Sequence, residues 1–186
     1  MLRYRSAKIL RSDVTSAVGG LTLSDSEVRF MVALQARANR PPVIRAARAL
    51  GAVGEHASLW QVIAVGGAIV DGRRRRQWLE ALVGIIGAHA TAVLVKRVVR
   101  RPRPTAVGLQ LLVPTMSGLS FPSSHSASTT AAALSLGRLF GLPLAPVLPS
   151  AMGAARVVVG AHYPSDVVGG ALIGWLVDRS MQRWRG

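Results

Sequence analysis

The sequence predicts an all-α protein: a polytopic membrane helical bundle of about five transmembrane helices, preceded by N-terminal interfacial amphipathic helices. Three observations predict it. Half of the 186 residues are apolar, and they fall in five long, nearly uncharged blocks rich in Ala, Gly, Val, Leu and Ile. Short basic loops separate the blocks, as expected where a chain meets phospholipid head groups. The blocks also lack the polar face at helical period that a soluble bundle shows. They cover 57–71, 78–95, 126–140, 142–160 and 166–177, each about 12–19 residues, at or below the roughly 20 that a straight span needs. Their number, more than any single block, argues for a membrane protein. The chain then divides into a basic N-terminal segment, 1–54, and a transmembrane domain, 55–186.

Taken in order, residues 1–24 mix Arg3, Arg5, Lys8 and Arg11 with small residues and have no long apolar stretch of the kind a cleavable signal peptide carries. A helix is predicted from Asp25, with Ser24 as its cap and Glu27 favouring its first turn. Val28, Phe30, Met31, Val32, Leu34 and Gln35 give it a mostly apolar side. Pro41 and Pro42 interrupt it, and a second segment carries Arg45 and Arg48 through Leu50. Both read as interfacial helices, a small soluble helical cap being the alternative. Gly51 and Gly54 break this part from the first span, which has Trp60 near its start and Asp71-Gly72 at its end. Arg73 to Arg76 form a four-arginine loop, read as a topology signal.

The second span begins at Trp78 and contains Glu80 and His89. An ionisable residue within a span is a functional candidate, so His89 either supports a site near Lys96 or hydrogen-bonds between packed helices. Gly170 and Gly174 have the spacing that lets helices approach closely. That spacing points to packing, and leaves a homo-oligomer through small-residue helix faces open.

A formal charge of +15 is compatible with nucleic acid, but the basic residues sit between apolar blocks, so no nucleic-acid partner is expected. The absence of cysteine excludes disulfides, iron–sulfur centres and cysteine-ligated zinc. Lysine occurs only at Lys8 and Lys96; with the high alanine content this points to a GC-rich genome.

Three polar clusters interrupt the apolar pattern. The first runs Lys96-Arg97-Val98-Val99-Arg100-Arg101-Pro102-Arg103-Pro104, a basic loop at the least. In the second, Phe121-Pro122-Ser123-Ser124-His125, a proline and hydroxyl residues lead into a helix, whose free N–H groups can surround an anion. His125 there can give a proton to a departing oxygen. The third spans Arg156 to Asp166 and places His162 four residues before Asp166. A carboxylate holds one ring nitrogen of such a histidine protonated and frees the other, and Arg156 can grip two oxygens of a phosphate or carboxylate.

In order and internal spacing, Lys96-x6-Arg103-Pro104, Pro122-Ser123-Ser124-His125 and Arg156-x5-His162-x3-Asp166 resemble the tripartite signature of the type-2 phosphatidic acid phosphatase superfamily, which also holds bacterial acid phosphatases and vanadium haloperoxidases. The chain departs from that pattern twice: Ser124 stands where glycine is usual, and Ala155 where the third motif usually begins with serine. The resemblance implies that His162 attacks phosphorus to form a phosphohistidine, with Asp166 orienting it and His125 protonating the leaving alkoxide. Lys96, Arg103, Ser123, Ser124 and Arg156 would bind the phosphoryl oxygens. With fixed cations in place of a metal, neither metal nor cofactor is expected. Arg97, Arg100 and Arg101, outside the motif, are read as selecting an anionic head group.

The two cluster-bearing loops must share one membrane face. With five spans the N-terminal segment joins them, giving that face fifteen cations against eight on the other, which favours a cytoplasm-facing site in the bacterial plasma membrane. Small size and GC-rich character resemble the actinobacterial decaprenylphosphoryl-5-phosphoribose phosphatases of cell-wall arabinan synthesis, which implies loss of a 5-phosphate from a lipid-linked sugar. Undecaprenyl pyrophosphate, phosphatidylglycerophosphate and phosphatidic acid are the alternative substrates. A non-enzymatic alternative, hinted at only by Ala155, is a lipid-phosphate-binding transport or scaffold protein with a vestigial site.

Overall fold

The computed structural model describes residues 23–183. Among these, seven α-helices follow one another: α1 (Leu23–Ala38), α2 (Pro41–Val53), α3 (Ser58–Val70), α4 (Arg75–Val99), α5 (Ser124–Phe140), α6 (Leu144–Val158) and α7 (Pro164–Arg183). The described residues contain no strand, only an isolated antiparallel bridge between Pro102 and Leu119.

Helix α5 is the axis. Its Ser, Thr and Ala side chains are buried on nearly every side, which a helix of small residues permits because neighbouring backbones can close in from several directions. Helices α4, α6 and α7 all pack on it. On α7, a Cβ added at Gly170 would sit 2.3 Å from the carbonyl oxygen of Ser123, and one at Gly174 2.3 Å from that of Ala127. The Gly170/Gly174 face of α7 is therefore used within the chain, against α5. Trp60 seals the other side, its Nε1 donating to Thr129 Oγ1 at 3.1 Å.

The outward faces are apolar. Val62, Val65 and Ile69 on α3, Leu79, Val83 and Ile86 on α4, and Val168, Leu172 and Trp175 on α7 are exposed at helical spacing, the reverse of the pattern a helix in water shows. One described segment, Gly72–Val99, is long and apolar enough to cross a membrane. Ser58–Val70 and Leu144–Val158 are apolar but short; 13 residues rise about 20 Å, against a hydrocarbon core of about 30 Å. The all-helical architecture is as expected, and the count of five spans is not shown.

Several local expectations are corrected. Helix α1 already runs at Leu23, so Ser24 lies inside it, and its hydroxyl instead accepts from Arg101 at 3.2 Å. The buried stripe of α1 is Glu27, Met31 and Gln35, while Phe30 is exposed; α1 thus turns two polar side chains inward. Gly51 lies within α2, and Gly54 is the residue that ends it. Of the four arginines at 73–76, Arg74 pairs with Asp71 at 2.6 Å, Arg75 donates to Ala68 O, and Arg76 pairs with Glu80. These bonds tie the α3–α4 turn together and begin α4 three residues earlier than Trp78.

Candidate active site

The three clusters occupy the loop 100–123, the start of α5 and the α6–α7 turn, and backbone bonds lash them to one another. Ser120 N–H donates to Arg101 O at 2.8 Å and Arg103 N–H to Gly118 O at 3.0 Å, so the first cluster lies along the approach to the second. Ser123 N–H donates to Asp166 O at 3.0 Å, joining the second to the third. Arg103 closes the ring by donating through NH1 to Ala161 O.

The α6–α7 turn depends on Gly160. Helix α6 stops at Val158, and Gly160 takes φ +73°, where a Cβ would lie 2.3 Å from Gln110 O. Only glycine accepts both the left-handed backbone and the close approach. The turn delivers His162 to the floor of a cavity of about 550 Å³, a size suited to a small ligand group.

Lys96 from α4, Arg103 from the loop, Ser124 and His125 from α5, Arg156 from α6 and His162 all line this cavity. His89 and Arg97 line it as well. Ser123 does not: it is fully buried behind the wall as the cap of α5, where its Oγ accepts from Ser126 N–H at 3.3 Å and from the Ser126 hydroxyl at 3.1 Å. Ala155 is also absent from the lining. Its methyl packs with Ala47 and Val159 in an apolar cluster between α2 and α6, a place where a serine hydroxyl would find mainly hydrocarbon.

His162 is 1% exposed and Asp166 is wholly buried. Nδ1 of His162 lies 3.6 Å from Asp166 Oδ2, longer than a made hydrogen bond, a separation of the kind that tightens when a site is occupied. Nε2 is left free of the carboxylate. Burial pushes the imidazole down to about pKa 4; Asp166 opposes this, and the cations Arg103, Lys96 and Arg156 reinforce it. The ring is therefore neutral at physiological pH, with a lone pair available. His125 Nε2 lies 3.2 Å from Gly51 O. A carbonyl only accepts, so Nε2 carries the hydrogen.

Arg156 is 5% exposed, and its Nε is buried without a hydrogen-bond partner. No described carboxylate forms a salt bridge with it. A buried guanidinium in that state is built for an incoming anion. Among the described residues no group of three His, Asp or Glu converges as a metal site.

Arg101 is not where the sequence reading put it. It turns inward, donating to Asp166 Oδ1 at 2.9 Å and to Glu27 Oε2 at 2.9 Å, and so does not face a lipid head group. Glu27, Gln35 and the Gly51 carbonyl also belong to the surroundings of the site, a role that a first-turn preference, an apolar helix side and a helix break do not reveal. Their signal was faint: a glutamate and a glutamine eight apart on one helical face.

Residues 77–186 match the PAP2 superfamily. A decaprenylphosphoryl-5-phosphoribose phosphatase of Mycobacterium tuberculosis is 52% identical over 157 residues, covering 82% of this chain and 89% of the relative. One from Mycolicibacterium smegmatis is 47% identical over 145 residues, 77% of this chain and 81% of the relative. An undecaprenyl-diphosphatase of Bacillus subtilis is 34% identical over 102 residues, about half of each chain. No solved structure is a significant match. With three clusters gathered around one cationic cavity and this degree of likeness over most of its length, the chain belongs to the PAP2 superfamily.

Proposed function

We propose that this protein is an integral membrane lipid phosphatase that removes the 5-phosphate of decaprenylphosphoryl-5-phosphoribose through a phosphohistidine. The observation that carries the reading is the pairing of a buried His162, backed by Asp166, with a buried Arg156 whose Nε has no partner, both lining one cavity. The substrate reading is supported by the mycobacterial relatives named for that activity, which are about half identical to this chain over most of its length.

In this mechanism Nε2 of His162 attacks phosphorus and the P–O ester bond breaks, while Asp166 supports the charge that develops on the ring. His125, entering the step as the imidazolium with Nε2–H on the Gly51 carbonyl, supplies from Nδ1 the proton that turns the departing alkoxide into the sugar hydroxyl and is left neutral. Water then attacks the phosphohistidine, giving its proton to His125 and releasing phosphate and free His162. Lys96, Arg103 and Arg156 balance the phosphoryl oxygens as their charge redistributes, aided by Ser124 and by the N-terminal N–H groups of α5, which Ser123 holds in place. What supports a metal-free route is the donor set: three cations, and no convergent acidic or histidine cluster among the described residues. Five spans, with the amino-terminal helices at the cavity mouth on the cytoplasmic side, complete the proposed topology.

The test is phosphate release by the detergent-purified protein from decaprenylphosphoryl-5-phosphoribose, phosphatidylglycerophosphate, phosphatidic acid and undecaprenyl pyrophosphate, with EDTA present. Turnover of the first lipid, abolished in His162→Ala, is expected. Turnover that requires a divalent metal, or that survives His162→Ala, refutes the mechanism. Preference for another lipid refutes the substrate.

A further inference from the structure

We propose that helix α1, which lies outside the stretch matching the family, is part of the catalytic apparatus, and that Glu27 and Arg101 are positioning residues for Asp166. The proposal rests on reading His162 and Asp166 as the reacting pair. Both oxygens of Asp166 are accounted for. Oδ1 accepts from Arg101 NH1 at 2.9 Å, and Oδ2 accepts from Tyr163 N–H at 2.8 Å while facing His162 Nδ1. The carboxylate cannot rotate without breaking one of these bonds, so the direction in which it faces His162 is set by Arg101 together with the Tyr163 N–H.

Arg101 is itself held. Its NH2 donates to Glu27 Oε2 at 2.9 Å, its NH1 also donates to Ser165 Oγ at 2.7 Å, and its guanidinium lies 3.8 Å above the Tyr163 ring. Glu27 is buried, and it also accepts from Ser165 N–H at 2.6 Å and from the Ser165 hydroxyl at 3.0 Å. A carboxylate on α1 thus grips the residue next to Asp166 and the arginine that fixes Asp166.

Sharing the guanidinium between two carboxylates has an electrostatic consequence. With Arg101 paired to Asp166 alone, the single positive charge would offset the negative charge that must support a phosphorylated imidazole. Glu27 restores the balance, leaving Asp166 both oriented and effectively anionic. A role confined to anchoring α1 is the alternative, and α1 has other anchors: Met31 is fully buried against Val157 and Tyr163, and Gln35 bonds to the backbone of Gln110 and Val158. Glu27→Gln, which keeps shape and leaves those anchors in place, therefore separates the two roles.

The experiment measures kcat, KM and the inhibition constant of inorganic phosphate for the full chain in detergent, on the phosphomonoester lipid that the wild type turns over. Glu27→Gln and Arg101→Lys are expected to lower kcat about 10- to 100-fold, the usual size for outer partners of a reactive histidine. KM and the phosphate constant should move less than about threefold, since the phosphate-binding side chains are untouched. The double variant should be no worse than the poorer single variant, because both break one relay. Wild-type kcat in Glu27→Gln overturns the proposal. So does a kcat loss matched by Met31→Ala at equal loss of thermal stability, which would make α1 a structural anchor only. Turnover surviving in His162→Ala removes the reading of the reacting pair itself, an outcome visible before any relay variant is assayed.

Discussion

Replacing Arg156 by methionine separates the contribution of this residue to the reaction from its contribution to the fold. Its Nε has no hydrogen-bond partner and no described carboxylate pairs with it, so the folded protein bears the desolvation of a cation without the return an ion pair gives. A methionine of similar volume removes that cost. Thermal stability in the absence of phosphate should therefore stay level or rise. Catalysis should move the other way. A guanidinium gripping phosphoryl oxygens makes two charge-assisted hydrogen bonds, each contributing about 1.5–3 kcal/mol. Lys96 and Arg103 line the same cavity and recover part of the loss, leaving about 3–4 kcal/mol. At 1.36 kcal/mol per decade this is a fall of roughly 10²–10³ in kcat/KM. Arg156→Lys keeps a point charge but loses the fork, and should fall between the two. The assay pairs lipid-phosphate turnover with thermal unfolding in detergent, with and without inorganic phosphate. Saturating phosphate should stabilise the wild type, by about 2.7 kcal/mol at a hundredfold excess over Kd, and the methionine variant much less. An Arg156→Met protein that unfolds several degrees lower yet keeps kcat/KM within fivefold would show that Arg156 is a fold element, and would refute the reasoning.

His162 should titrate near pH 4, because its burial outweighs the pull of Asp166; histidine-labelled NMR with His162→Gln as the assignment control reads this, and a midpoint at or above 6.5 contradicts it. The sign for stability follows: between an unfolded value near 6.5 and a folded value near 4 the unfolded chain holds the extra proton, so stability drops as pH falls through that window, and less so in His162→Gln. Gly174→Ala and Gly170→Ala each place a Cβ 2.3 Å from a carbonyl of α5, so each should lose about 1–3 kcal/mol of stability by overpacking. The Gly170 variant alone should also lose much of its turnover, since the carbonyl it displaces belongs to Ser123, the cap that holds the start of α5 behind Ser124 and His125 of the cavity lining; equal activities would detach that cap from catalysis. With five spans and a cytoplasm-facing cavity, a phosphatase reporter fused after Gly186 should be active outside the cytoplasm, and a cytoplasmic reporter signal there would invert the proposed orientation.

The parts of this molecule that could be read from sequence are those in which chemistry and spacing coincide within a few residues. Pro122-Ser123-Ser124 announces a helix start, and α5 begins at Ser124 with Ser123 as its cap. The Gly170/Gly174 spacing announces close packing, and both glycines meet α5 backbone. His162 and Asp166, four apart across a Pro-Ser turn, meet at 3.6 Å. Span number was not legible in the same way. Apolar content marks a helix as buried in something, but protein and lipid are alike to it: α5 is covered by its neighbours on nearly every side, while α3 and α4 bury their alanines and turn Val62, Ile69, Leu79 and Val83 outward.

Arg101 shows the limit most sharply. In a run of five cations within eight residues, sequence gives no reason to separate the one that turns inward from those that do not, because the deciding partner, Glu27, lies 74 residues away on another helix. A helix-start preference does not account for a Glu27 carboxylate held at 8% exposure. A carboxylate so buried must be matched by donors or it would not stay charged, and those available are the three at Arg101 and Ser165. The amphipathic pattern of α1 had the same cause. Its inward stripe is polar, apolar, polar because it packs on protein: Glu27 meets Arg101 and Ser165, Met31 meets Val157 and Tyr163, and Gln35 meets the backbone of Gln110 and Val158. A helix that looks weakly amphipathic beside a strongly apolar domain is therefore better examined for what its few buried polar groups touch than for how it would lie on a bilayer.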